Sequence, residues 1–283
     1  MLACQEDGVI KTKIMKGVWR DILRVTPLRT VLLVVFGCAG ASQGWANDFS
    51  AVISQIKPSV VAIANYQPLR QPPLSFIGTG FVVADGRHLI TNAHNIPDFL
   101  DPVKKESLAI VIPGNTPDDA KSVRMATLVA QDKDHDVAIL KFSDGPLPAL
   151  LIGDSRSVKE GQEYLLTGFP IGNILGYHAV THRAMVSAIT PVVQPVDNAK
   201  QLNPRLIKRM MTEYNVFQLD AIAYPGNSGS PVYDPNTGEV IGVLNSVFVK
   251  DTKESVLERP SGISYAIPAL YMRELMLKAG LDE

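Results

Sequence analysis

The chain has 283 residues, enough for one large domain or two small ones. Apolar residues make up 46 % and charged residues 19 %, which permits a packed core and excludes broad disorder. Lys plus Arg is 27 and Asp plus Glu is 28, so a formal charge of −1 carries no footprint for nucleic acid.

The first segment reads as a targeting signal. Lys11, Lys13, Lys16, Arg20, Arg24 and Arg29 precede the apolar run 31–41, VLLVVFGCAGA. Those 11 residues are short of the roughly 20 that a bilayer-spanning helix needs, and they suit a signal-peptide core. Gly44-Trp45-Ala46 supplies small residues for cleavage after Ala46, giving a signal peptide over 1–46. Met15 is an alternative start, because the charged region before the core is long. A retained membrane anchor is the competing reading. Lipidation at Cys38 is a weaker one, since Phe36 is bulky where a small residue is expected. Cys4 and Cys38 both lie in this segment. The mature chain is therefore expected to have no disulfide, Cys nucleophile or Cys-ligated zinc, and an exported chain without cysteines fits a bacterial periplasm.

Short apolar runs dominate the remainder. A helix is expected over 47–56, ahead of Pro58. Strand signals follow at 60–64, 80–84, 88–91, 108–112, 125–130 and 137–142, many separated by Gly, Pro, Asn or Asp. After the Pro-rich link 145–148 the pattern resumes at 164–167, 177–180, 184–189, 216–219, 231–233 and 240–244. The reading is all-β: two β-barrels, over 47–150 and 151–283, each of about six strands. A second helix is expected over 203–211. A last one is opened by Pro268 and closed by Gly280, with Tyr271, Met272, Leu275, Met276 and Ala279 on the face packed against the second barrel.

Three sites could carry chemistry. His94 ends the run Leu89-Ile90-Thr91-Asn92-Ala93-His94, so a strand delivers it to a turn where a general base is accessible. Asp136 directly precedes the apolar run Val137-Ala138-Ile139-Leu140, where a carboxylate can fix an imidazole tautomer. Asp132 and Asp134 compete for that role without adjoining the strand, and His135 reads as a surface residue. Ser228 lies in Pro225-Gly226-Asn227-Ser228-Gly229, whose glycines allow backbone N–H groups to converge on one oxygen. Each site alone reads more readily as an ordinary turn or strand end. Their order and spacing, 136 − 94 = 42 and 228 − 136 = 92, put the first two in one barrel and the third in the other. His178 and His182 are four apart, but in a strand-and-turn context that does not suit a metal.

Together these motifs resemble the trypsin-like serine proteases, and most closely their HtrA/Deg branch. The resemblance runs over roughly residues 50–280 and includes Gly153-Asp154-Ser155, Gly168-Phe169-Pro170, Gln218-Leu219-Asp220-Ala221 and a final strand at Ser264-Tyr265-Ala266-Ile267-Pro268. It implies two perpendicular six-stranded barrels with the active site in the cleft, and a serine endopeptidase in periplasmic protein quality control. Ser228 is the implied nucleophile, His94 the base and Asp136 the orienting acid. Gly226 and Ser228, with Asn227 assisting, are the implied oxyanion donors. Ala223, Tyr224, Asn245 and Ser246 are the implied substrate pocket, with Asp220 structural and an apolar preference at the cleaved residue. No cofactor or metal is implied. Polypeptides, unfolded proteins among them, are the implied partners, and a homo-oligomer is compatible with the family.

The chain also departs from that pattern. Three residues follow Gly280, where the branch usually continues into PDZ modules, so a member without them is expected. Asn95 follows His94 where Val is usual, Ile222-Ala223-Tyr224 replaces Ala-Ile-Asn, and Ser230 replaces a glycine as in glutamyl endopeptidases. Two other functions stay open here: a latent or inactive chaperone-like binding protein on this scaffold, and a glutamyl endopeptidase.

Overall fold

The structure, a computed structural model, describes residues 48–114, 122–172, 176–192, 214–222, 224–245 and 262–282. The expected signal segment, both cysteines, the helix expected over 203–211, and Ala223 and Ser246 lie outside the described residues.

Helix α1 (Ser50–Ile56) leads into β1 (Val60–Tyr66), β2 (Leu74–Val83), β3 (His88–Thr91), β4 (Ser107–Ile112), β5 (Ser122–Asp132) and β6 (Val137–Phe142). These six strands close into a barrel in the order β1-β2-β3-β6-β5-β4. The second barrel comprises β7 (Glu163–Gly168), β8 (Val180–Pro191), β9 (Asn215–Leu219), β10 (Pro231–Tyr233), β11 (Val240–Asn245) and β12 (Ser264–Pro268). Its order, β7-β8-β9-β12-β11-β10, repeats the first topology without any repeat of sequence. Closure leaves neither sheet with an open edge. Helix α2 (Ala269–Lys278) ends the fold: Pro268 precedes it, Ser155 Oγ accepts the Leu270 N–H of its first turn at 3.0 Å, and Gly280, at φ +70°, turns the chain out of it.

Packing explains why so many strands read as unbroken apolar runs. Alternate residues of a strand point to opposite faces. In β1, Val61 and Ile63 fill the first barrel with Leu89, Ile110 and Leu140. Val60, Ala62 and Ala64 face outward, into a second cluster shared with Leu165, Phe169, Val243 and Ile267 of the other barrel. Both faces are buried, so polar alternation disappears. A third cluster, around Leu166, Val186, Phe217 and Leu244, fills the second barrel.

Two expectations need correction. Residues 177–180 do not form a separate strand. Gly176 turns at φ +78°, Tyr177 packs edge-on against Phe76 at 6.1 Å, and only Val180 joins the long β8 that also holds 184–189. The sixth strand of that barrel is β12. Helix α2 packs against both barrels rather than the second alone: it touches β5 and β6 as well as β11 and β12. Its Met272, Leu275 and Met276 are buried in the inter-barrel cluster with Val137 and Ile139. Each barrel fills its own interior, so the apolar surface left for a helix lies where the two meet.

Candidate active site

The strand order brings two of the three chemical residues together. β3 and β6 are antiparallel neighbours, with Thr91 opposite Ala138, so the end of β3 lies beside the start of β6. His94 sits in a 3-10 turn (Ala93–Asn95) just beyond β3, and Asp136 sits just before β6. The Asp136 carboxylate receives the His94 ring Nδ1 at 2.7 Å on Oδ2 and the His94 backbone N–H at 2.8 Å on Oδ1. A carboxylate only accepts, so the Nδ1 proton is the donor. The Nε2 lone pair is then left available as a base.

Asp136 itself is held in an unusual backbone state, φ +53°. Such a conformation persists where its surroundings over-determine it. Here the Asp136 carbonyl accepts the Ala93 N–H at 3.1 Å and Asn92 Nδ2 at 3.1 Å. Asn245, at the end of β11, adds Nδ2 to Asp136 Oδ2 at 2.7 Å. This corrects the reading of Asn245 as a pocket wall: it is buried, and its amide faces the acid instead.

Ser228 arrives from the other barrel. The turn before β10 is closed by the Asn227 N–H on the Tyr224 carbonyl at 3.0 Å, and the Ser230 N–H on the Asn227 carbonyl at 3.0 Å. Gly226 has φ +100° and Gly229 φ +90°, both in the region that favours glycine. A Cβ at Gly229 would also lie 1.9 Å from the Thr79 carbonyl oxygen, so β2 admits no side chain there. Thr79 fastens the turn from the first barrel: its N–H donates to the Ser228 carbonyl at 2.8 Å and its Oγ1 to the Gly226 carbonyl at 2.7 Å.

Among the implied oxyanion donors, Asn227 is corrected. Its backbone N–H is committed to Tyr224 and its side chain is fully buried, turned toward Gly168, so it cannot face the cleft. Ser230 is likewise fully buried beside Gly168, so the exchange shared with glutamyl endopeptidases falls in the core and not on a substrate surface. Tyr224 is half-buried at the entrance of the turn. Asp220 accepts the Met185 N–H at 2.6 Å, a structural bond between β8 and the end of β9.

His135 is corrected as well. It is half-buried, stacked on Tyr271 of α2 at 4.0 Å and edge-on to Tyr214 at 4.8 Å, with Nδ1 on Asp132 Oδ2 at 2.7 Å. The Asp132–His135 pair thereby clasps the turn that presents Asp136. Burial pushes the Asp132 carboxyl up, but the bonds from the His135 ring and from the backbone N–H groups of His135 and Asp134 outweigh it. The net pKa lies below the ordinary value. A folded pKa below the unfolded one stabilises fully above about pH 4, and that contribution disappears as pH falls through the folded value. The melting-temperature advantage of the wild type over Asp132→Asn is therefore expected to shrink between about pH 6 and pH 3. A constant difference across that range would contradict the clasp.

The double barrel with its His–Asp clasp defines a trypsin-like fold. Residues 78–243 match the family described as trypsin-like peptidase domain, and the chain belongs to that family. Its curated relatives are of HtrA/DegP type. It is 30 % identical over 199 residues to the "Probable periplasmic serine endoprotease DegP-like" of Pseudomonas putida, covering 70 % of this chain and 34 % of the relative. It is 26 % identical over 238 residues to "Serine protease HTRA1" of Xenopus laevis, covering 82 % and 43 %. The chain thus spans less than half the length of these relatives. Among solved structures, the active form of the Rv3671c protease from M. tuberculosis superposes with a TM-score of 0.58 at 23 % identity, over 82 % of this chain and 85 % of that one. The HtrA-type protease AlgW with a tripeptide gives 0.56 at 24 %, over 83 % and 65 %. At these identities the likeness is one of fold.

Proposed function

We infer that this chain is a serine endopeptidase of the HtrA/DegP type, exported to the periplasm and acting on polypeptides with unfolded segments. The observation that carries the reading is the Asp136 carboxylate holding both the ring and the backbone of His94, beside a glycine-flanked serine turn pinned to the same barrel. In this mechanism His94 Nε2 takes the proton of Ser228 Oγ as Oγ bonds to the scissile carbonyl carbon. The carbonyl oxygen becomes an oxyanion facing the N–H groups of Gly226 and Ser228. Collapse breaks the C–N bond, with the His94 proton passing to the leaving amine. Water, activated by the same imidazole, then hydrolyses the acyl-enzyme. Asp136 stays ionised and stabilises the imidazolium.

The pocket for the cleaved residue is assigned to Ala223, Tyr224 and Ser246. Ala223, Tyr224 and Ser246 bring no acid to that pocket, which favours an apolar residue before the scissile bond. The relatives' names support export and the protease activity. The test is a fluorophosphonate probe followed by peptide mapping, with a peptide library read in parallel. Labelling at Ser228 and cleavage after apolar residues are expected. Cleavage of casein by a chain whose Ser228 stays unlabelled would refute the assignment.

A further inference from the structure

Asn95 stands beside His94, where the sequence pattern of the branch it resembles has valine. Its side chain is 2 % exposed, and both amide hydrogens are used. One reaches Thr91 Oγ1 at 2.9 Å and the other the Ser228 carbonyl at 3.0 Å, a bond across 133 residues and between the two barrels. Thr91 Oγ1 donates in turn to the Thr79 carbonyl at 2.7 Å, and the Thr79 N–H donates to the same Ser228 carbonyl at 2.8 Å. The result is a closed ring of four hydrogen bonds joining the turn of the base to the residue of the nucleophile. Thr79 and Thr91 are fully buried, so water does not compete for these bonds.

Gly78 shows that the space is kept for this amide. A Cβ there would lie 2.5 Å from Asn95 Nδ2 and 2.7 Å from both Cγ and Oδ1. An alanine at position 78 and the amide at position 95 cannot both occupy their places.

We propose that Asn95 is a positioning residue for the reaction: through the Ser228 carbonyl it sets the distance and angle between the serine hydroxyl and the imidazole of His94. Asn95 touches neither substrate nor reacting atom. It acts on the geometry of attack, where small displacements are costly in rate and substrate binding is little affected. The proposal rests on Ser228 being the nucleophile and His94 the base.

The test uses Asn95→Ala, Gly78→Ala and the double variant, with active sites counted by fluorophosphonate titration. Each single substitution is expected to slow acylation per titrated site by about tenfold to a hundredfold, with KM for a peptide substrate within about threefold. In the Asn95→Ala background the added Gly78→Ala is expected to change the rate by less than about twofold, since the amide it would displace is already gone. Wild-type acylation per site in both single variants overturns the proposal, even if melting temperatures fall, because only a structural role then remains. Additive losses in the double variant also overturn it. Gly78→Ala keeps the question decidable if Asn95→Ala does not fold. Absence of labelling in the wild type would instead defeat the nucleophile assignment itself.

Discussion

Replacement of Ser228 by alanine is expected to lower kcat for peptide hydrolysis by about a million-fold. The size follows from what the substitution removes. Without Oγ there is no acyl-enzyme, and the His94 base has no hydroxyl to deprotonate. Direct attack by water, aided by the Gly226 and Ser228 N–H groups, is all that is left. Ser228 is 4 % exposed and its carbonyl keeps both its donors, so the turn itself should be undisturbed and KM nearly unchanged. Single-turnover hydrolysis of a chromogenic peptide measures the loss. Residual activity within about a hundredfold of wild type would remove Ser228 from the mechanism.

Asp136→Asn is expected to cost about ten-thousandfold in kcat. The Asp136 carboxylate accepts three hydrogen bonds, two on Oδ2 and one on Oδ1. An amide at that position has one accepting oxygen and one donating nitrogen. With its oxygen toward the His94 ring and Asn245, its NH2 opposes the His94 backbone N–H. Turned around, its NH2 faces the His94 ring and the Asn245 amide, and the imidazole must adopt the tautomer protonated on Nε2. That tautomer cannot accept the serine proton. Either orientation also removes the charge that stabilises the imidazolium. Steady-state kcat on the same peptide tests this, and a loss below about tenfold would mean that Asp136 does not orient His94.

The chain departures noted in the sequence separate into two kinds once burial is known. Ser230 and Asn95 both lie in the interior, where they act on packing and on the position of Ser228. Ile222 and Tyr224, just before the Ser228 turn, instead stay partly open.

Sequence alone determined the strand-rich double barrel, because short apolar runs between Gly, Pro and Asp are a local signal. It also singled out His94, Asp136 and Ser228 as candidates, through their strand-end and glycine-turn settings taken together in one order. Tertiary structure decided the rest. Asn245 reaches Asp136 across 109 residues, Asn95 reaches Ser228 across 133, and Thr79 reaches Gly226 across 147. No periodicity or nearby residue encodes such pairs, since they exist only after two closed barrels have met. The inward turn of Asn227 and the stacking of His135 on α2 have the same origin. Local sequence sets which groups can react, and the packing of one barrel on the other sets which amides and hydroxyls hold them in place.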